Sequence, residues 1–289
     1  MDGDRLRALL ADGGSVLMAG VYDALTARLA VEAGFDVVFV SGYCTAATQL
    51  GLPDFGYLTQ TEIADTARRV CRSVRDTAVV VDGDTGYGNP LNVIRTVELF
   101  EEAGAAGIFL EDQQWPKKCG HMAGKRVVPA DEWLAKLQAA VDHRDRLFIV
   151  ARTDARAVVG LDDACRRAQA AAAIGVDAIF VEAPESAEEM RAIAEATPGC
   201  TRVANMIETG KTPLLTPGEL HDLGFDLVVS PLTGLLAATR ALARAYEVLH
   251  QHGTLRDHLE LVTTFDDFGS VIDLERHYGL EARYTDPES

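Results

Sequence analysis

One cysteine lies among four cations and a histidine between residues 110 and 129, Leu-Glu-Asp-Gln-Gln-Trp-Pro-Lys-Lys-Cys-Gly-His-Met-Ala-Gly-Lys-Arg-Val-Val-Pro. Cys119 has Lys117, Lys118 and His121 within two positions. Nearby positive charge stabilises a thiolate, so this thiol is suited to exchanging a proton near neutral pH. Gly120 and Gly124 leave the surrounding loop free to move. The plainer alternative is a solvated basic turn with an idle cysteine. A second cluster is Asp82-Gly83-Asp84-Thr85-Gly86-Tyr87-Gly88. Two aspartates two apart project to one side of extended backbone, where their charges repel unless a cation joins them. Carboxylates without His or Cys neighbours suit Mg2+, or Mn2+ in its place, with Glu111 or Asp112 completing the shell through water. The alternative is a solvated Asp-Gly-Asp turn. The glycines at 83, 86 and 88 match neither a dinucleotide fingerprint nor a Walker loop, and read as room for a ligand and turn geometry.

Short apolar, β-branched runs alternate with longer stretches of helical period, the rhythm of repeated βα units. Strands are predicted near residues 16–19, 37–40, 78–81, 107–110, 147–151, 178–181, 202–204 and 227–229. Helices are predicted over 24–32, 62–74, 91–103, 131–141, 161–173, 187–196 and 217–223. Thr59 with Glu62, Ser186 with Glu189 and Thr216 with Glu219 match the capping box, and Gly104, Gly175 and Gly224 sit where helices should stop. Eight near-continuously apolar strands imply a parallel sheet covered on both faces. A closed (β/α)8 TIM barrel fits better than a doubly wound sheet. Residues 1–289 read as a single barrel domain whose C-terminal helical extension, about 234–289, carries helices at 237–250 and around 257–276. In such a barrel the carboxyl ends of the strands carry the chemistry. Ser41-Gly42-Tyr43, Asp82 to Gly88, Glu111-Asp112, Arg152-Thr153-Asp154, Glu182, and Asn205 with Glu208 therefore share one rim. Arg152 offers a planar fork for a substrate carboxylate, or pairs with Asp154 or Glu182.

The chain has 289 residues, a net charge of −17 and no apolar run of membrane-spanning length. Its start lacks the features of a signal peptide, so the cytoplasm is the expected compartment. Five scattered cysteines argue against a disulfide framework. The negative charge disfavours nucleic acid and anionic membrane as partners and favours a small molecule.

The sequence resembles the isocitrate lyase and phosphoenolpyruvate mutase superfamily. The matches run in family order: Gly20-Val-Tyr-Asp-Ala24, Ser41-Gly42, Leu50-Gly-Leu-Pro-Asp54, Asp82-Gly-Asp-Thr-Gly86, Leu110-Glu-Asp-Gln113, Lys117-Lys-Cys-Gly-His121, Ala151-Arg-Thr-Asp-Ala155, Val181-Glu-Ala183, Ala204-Asn-Met206 and Gly210-Lys-Thr-Pro213. It is most similar to the branch holding 2,3-dimethylmalate lyase, the petal death protein and carboxyvinyl-carboxyphosphonate phosphorylmutase. The resemblance implies Mg2+ and a homotetramer whose final barrel helix is exchanged between subunits. It implies that Asp82 and Asp84, with Glu111, hold the metal. It further implies that Ser41 and Gly42 bind a substrate carboxylate, and that Gly120, Arg152, Glu182 and Asn205 contact the substrate. Cys119 corresponds to the general acid of the carbon–carbon lyases, a residue that the phosphoenolpyruvate mutase and the phosphonopyruvate hydrolase lack.

The expected activity is Mg2+-dependent cleavage of a 2-alkylmalate or 2,3-dialkylmalate to a 2-keto acid such as pyruvate and a carboxylate. Lys117, His121 and Arg152 would face the departing enolate-like fragment, Cys119 would protonate it, and the 114–129 loop would close to exclude water. Two departures bear on the substrate. Relatives acting on isocitrate-like substrates carry Tyr two residues before Ser-Gly, where this chain has Phe39; Tyr43 is a substitute base or hydrogen bonder. The oxaloacetate-hydrolysing branch has Ser where this chain has Pro231. The other readings are a phosphorylmutase, a methylisocitrate lyase, an oxaloacetate hydrolase and a barrel that only binds a metabolite.

Overall fold

The computed structural model describes residues 3–120, 122 and 124–285. Eight strands pair in sequence order, all parallel, and the first closes on the last: β1 (Val16–Val21), β2 (Val37–Val40), β3 (Ala78–Asp82), β4 (Gly107–Glu111), β5 (Phe148–Thr153), β6 (Ala178–Val181), β7 (Thr201–Asn205) and β8 (Leu227–Ser230). Each lies where an apolar run predicts it. Several run further at the carboxyl end, because the ladder continues through polar residues whose backbones still find partners. Asp82 pairs in register with Phe109, Glu111 with Arg152, and Asn205 with Val229.

The strand period of two divides the buried residues cleanly. Val38, Val40, Val79, Val81, Ile108, Leu110, Ile149 and Ala151 pack outward against the helices. Val37, Phe39, Ala78, Val80, Phe109, Phe148, Val150, Ala178, Phe180, Val203 and Val229 fill the barrel interior. Counting two further along each interior series reaches Ser41, Asp82, Glu111, Arg152, Glu182, Asn205 and Pro231. The parity that fills the barrel with apolar groups thus delivers polar ones to its mouth on every one of these strands but the last, which ends in Pro231. Phe39, Phe109 and Phe180 stack beneath them, with ring centroids 4.9 and 5.6 Å apart.

The helices at Ala24–Glu32 and Ala187–Ala196 coincide with their predicted spans, and others differ by one to four residues at one or both ends, the helix Thr233–His252 starting four residues before its expected position. Thr59 and Thr216 form complete capping boxes. Ser186 caps its helix, but Glu189 serves Arg156 and the Glu185 N–H instead of closing a box. Gly104 and Gly175 end their helices in the left-handed region. Three short helices escape the periodicity: Gly3–Ala11, Gly42–Thr45 leading into a π-turn at Ala46–Leu50, and Arg156–Val159. Gly20 carries a tight contact, since a Cβ there would lie 2.1 Å from the Pro231 carbonyl oxygen.

Contacts divide the chain into a unit ending at Thr233 and another beginning at Gly234. The second unit holds most of the helix Thr233–His252, and then Phe265–Val271 and Leu274–Thr285. The continuous stretch expected around 257–276 is broken, because Thr264 caps a new helix and Asp273 turns the backbone at φ 58°. Phe265, Tyr284, Leu259 and Tyr246 of this unit are exposed.

Candidate active site

A cavity of about 40 Å³ opens at the carboxyl ends of the strands. Ser41, Tyr43, Asp54, Asp82, Cys119, Gly120, Arg152, Glu182 and Asn205 supply its polar lining. Phe39, Ile207, Val229, Pro231 and Leu232 supply an apolar wall. Distant stretches of sequence, from residue 39 to residue 232, therefore meet at one point.

Arg152 is the hub. Its guanidinium lies 3.2 Å from Glu111, 3.0 Å from Asp154 and 3.5 Å from Glu182, and packs over the Phe180 ring. Burial opposes its charge, but Asp154, Glu111 and Glu182 outweigh that and hold its pKa far above the usual value. The two readings of Arg152 are thus compatible, since it pairs with Asp154 and Glu182 while lining the cavity. Asn205 donates to both oxygens of Glu182, at 3.2 and 3.3 Å. Its own amide oxygen is buried without a hydrogen-bond partner among the described residues.

Asp82 and Asp84 come together by a turn and not by strand pleating, which corrects the expected geometry. Asp84 has φ 46°, and its N–H donates to Asp82 Oδ1 at 3.2 Å. Gly42 makes room for the Asp82 carboxylate, since a Cβ there would lie 2.9 Å from Oδ2. Gly83 and Gly86 serve packing, not ligand space. A Cβ on Gly83 would meet Ile108 at 2.6 Å, and one on Gly86 would meet Val93 at 2.4 Å.

Lys117 departs from its expected orientation. Its ammonium sits 2.7 Å from Asp54 and 2.6 Å from Asp84, buried behind the cavity wall. Those carboxylates outweigh burial and keep it charged. Its charge is therefore committed to Asp54 and Asp84. Burial in turn pushes the Asp84 carboxyl up against the pull of Lys117. Asp54 lines the pocket, a role that its place at the end of the Leu50–Asp54 motif did not by itself reveal. Glu111 is buried, and desolvation raises its carboxyl well above the usual range despite Arg152. Neither of its oxygens receives a hydrogen bond among the described residues. Asp112 has the opposite parity and is structural. It accepts from Thr153 Oγ1 at 2.6 Å, the Asp154 N–H at 2.8 Å and Arg167 at 3.2 Å. His121 lies outside the described residues.

Tyr43 lines the cavity, and burial, then the neighbouring Cys119, Asp54 and Cys44, raise its phenol pKa. It is thus better placed to donate a hydrogen bond than to act as a base. Ser41 caps the following helix by accepting from the Cys44 N–H at 3.3 Å. The loop over the mouth is held at its stem. Lys118 and Gln113 exchange hydrogen bonds, the Gln114 N–H donates to Arg126 O at 2.8 Å, and the Val128 N–H donates to Asp112 O at 2.9 Å.

Burial pushes the Cys44 and Cys71 thiols up to about 12. At pH 8 only ~10⁻⁴ of each would be thiolate. Iodoacetamide at that pH should leave both unmodified in the folded protein and alkylate them in urea, as peptide mass mapping would read.

An eight-stranded parallel barrel with carboxylates, an arginine and a cysteine gathered at its carboxyl-terminal mouth is the architecture of a barrel enzyme. The sequence matches the phosphoenolpyruvate phosphomutase family over residues 6–250. It is 50% identical to the chloroplastic carboxyvinyl-carboxyphosphonate phosphorylmutase of Arabidopsis thaliana, covering 97% of this chain and 84% of that protein. It is 41% identical to the 2,3-dimethylmalate lyase of Eubacterium barkeri, covering 97% of each. A solved 2,3-dimethylmalate lyase, described as a PEP mutase/isocitrate lyase superfamily member, superposes with a TM-score of 0.91 at 33% identity, covering 97% of this chain and 94% of that one. A phosphonopyruvate hydrolase solved with oxalate and Mg2+ superposes with a TM-score of 0.88 at 28% identity, covering 99% and 100%. The chain belongs to the phosphoenolpyruvate mutase family of the isocitrate lyase superfamily. It is an enzyme with the lyase or mutase activity of that superfamily.

Proposed function

We propose that the protein is a Mg2+-dependent lyase that splits a 2-alkylmalate or 2,3-dialkylmalate into a 2-keto acid such as pyruvate and a carboxylate. The observation that carries this reading is Cys119 lining the same cavity as Arg152, Glu182, Asn205 and Asp82, opposite an apolar wall. Arg152 and Asn205 orient the substrate's carboxylates and hydroxyl, with Ser41 and Gly42 at the second carboxylate. Tyr43 donates a hydrogen bond. The Cys119 thiol delivers its proton to the carbon of the departing enolate-like fragment, while Gly120 and the loop keep water away. Phe39, Ile207, Val229 and Leu232 accommodate the alkyl substituents.

The donors suit a hard divalent cation. Six buried carboxylates (Asp54, Asp82, Asp84, Glu111, Asp154, Glu182) face three buried cations, Lys117, Lys125 and Arg152. Asp82 and Asp84 would hold the ion, with Glu111 reaching it through water, and waters and substrate oxygens would complete a Mg2+ shell. When bound, Mg2+ stabilises negative charge on the substrate's hydroxyl and carboxylate oxygens. A homotetramer, with the extension from Gly234 packed on a neighbouring subunit, would cover the exposed apolar groups of that extension. No helix among the described residues is long and apolar enough to cross a membrane, in keeping with a cytoplasmic enzyme on a small-molecule substrate.

The 50% identity to a phosphorylmutase favours phosphorus–carbon chemistry as the second reading. The deciding experiment is release of pyruvate or glyoxylate, with Mg2+ and with EDTA, across malate, 2-alkylmalates, 2,3-dialkylmalates, 2-methylisocitrate and oxaloacetate. Metal-dependent pyruvate from an alkylmalate is the expected result. Silence across the panel would move the assignment to phosphonate chemistry, and turnover of oxaloacetate alone would make the enzyme a hydrolase.

A further inference from the structure

Lys125 is a charged residue that the chemistry above does not use, and its burial is unusual for a loop lysine. Its side chain is 2% exposed, and the Asp154 carboxylate 2.6 Å away is fully buried. The same ammonium donates to the backbone carbonyl of Gly120. Asp154 in turn accepts from Arg152 Nε at 3.0 Å and Nη2 at 3.3 Å, and its own N–H is held by Asp112. Gly120 sits hard on the same group of residues, since a Cβ there would lie 2.4 Å from Glu182 Cδ and 2.7 Å from Arg152 Nη2. One lysine thus joins the turn that follows Cys119 to the carboxylate that orients the Arg152 fork.

We propose that Lys125 is a positioning residue, a clasp that seats the Cys119–Gly120 turn over the cavity by bridging the Gly120 carbonyl to Asp154 at the end of β5. An ammonium leaves water only at a large desolvation cost, recovered when good partners replace its hydration. Lys125 has both partners only when the turn is seated against Arg152 and Glu182. Closure of the loop and setting of the arginine fork are thereby one event.

The test compares wild type with Lys125→Met and Lys125→Arg in the full chain, in two readouts. One is alkylation of Cys119 by iodoacetamide, followed by peptide mass mapping. The other is kcat and KM on the best substrate of the panel. In Lys125→Met, Cys119 should react about tenfold faster because the loop opens more often. kcat should fall about 10–100-fold with KM nearly unchanged, as for a misplaced reacting group. Lys125→Arg, which keeps a donor and a charge, should recover much of both; Lys125→Gln replaces Lys125→Met if the latter does not fold. Unchanged Cys119 reactivity overturns the proposal. So does the parallel appearance of Cys44 alkylation, which would mean general loosening of the barrel. The turnover arm rests on the lyase reading, whereas the alkylation arm needs no substrate. An inactive wild type would therefore refute the lyase and still leave the clasp decided.

Discussion

Replacing Cys119 with serine should lower alkylmalate turnover by about 10²–10⁴-fold, the range that a positioned general acid contributes. The hydroxyl is close in size to the thiol but holds its proton far more tightly, so the position is filled while the proton donor is lost. KM should change little, because the thiol is assigned to proton delivery and not to substrate anchoring. Stability should also hold, since Cys119 is only half-buried on a loop. Steady-state kinetics with urea unfolding would check all three. Wild-type turnover in the variant would end the acid role and return the cysteine to an incidental loop residue.

Arg152→Leu should remove turnover and also destabilise the fold by about 3–5 kcal/mol, the cost of stripping one partner from buried ion pairs. Glu111, Asp154 and Glu182 would share a site left without its central cation, and Glu111 is already held well above the usual carboxylate range by burial. Arg152→Lys separates the two effects. It keeps the charge but loses the planar fork, which one ammonium cannot reproduce against three carboxylates. Most of the stability should return in urea titrations, and turnover should stay at least about tenfold below wild type. Full activity in Arg152→Lys would show that charge alone suffices and that the fork orients nothing.

Much of this site was legible because a barrel strand has a simple period. Val37, Phe39 and Ser41, or Val150, Arg152 and Asp154, are alternate residues on one face, so an apolar interior series that turns polar marks its last member for the mouth. The same parity separates Glu111 from Asp112, which neighbouring sequence alone left undivided. Local signals also sufficed for Thr59 and Thr216, whose capping partners lie three residues away.

Where competition between distant partners set the outcome, local reasoning was insufficient. Glu189 left its capping box because Arg156 lies within 2.7 Å. Lys117 turned to Asp54 and Asp84 rather than to the cysteine two residues away, since a buried ammonium goes where opposite charge is densest and sequence adjacency is no measure of that. Lys125 gave no signal in the chain beyond one more basic residue, and Asp154 was foreseen as a partner of Arg152 but not of a lysine 29 residues away. The sequence by itself determined the eight strands, their facing and therefore which side chains reach the mouth, because those follow from a two-residue period and apolar burial. Only the tertiary structure decided which charge pairs with which, because ion pairing depends on distance and desolvation between groups that lie 29 and 63 residues apart in the chain, as in Lys125–Asp154 and Lys117–Asp54.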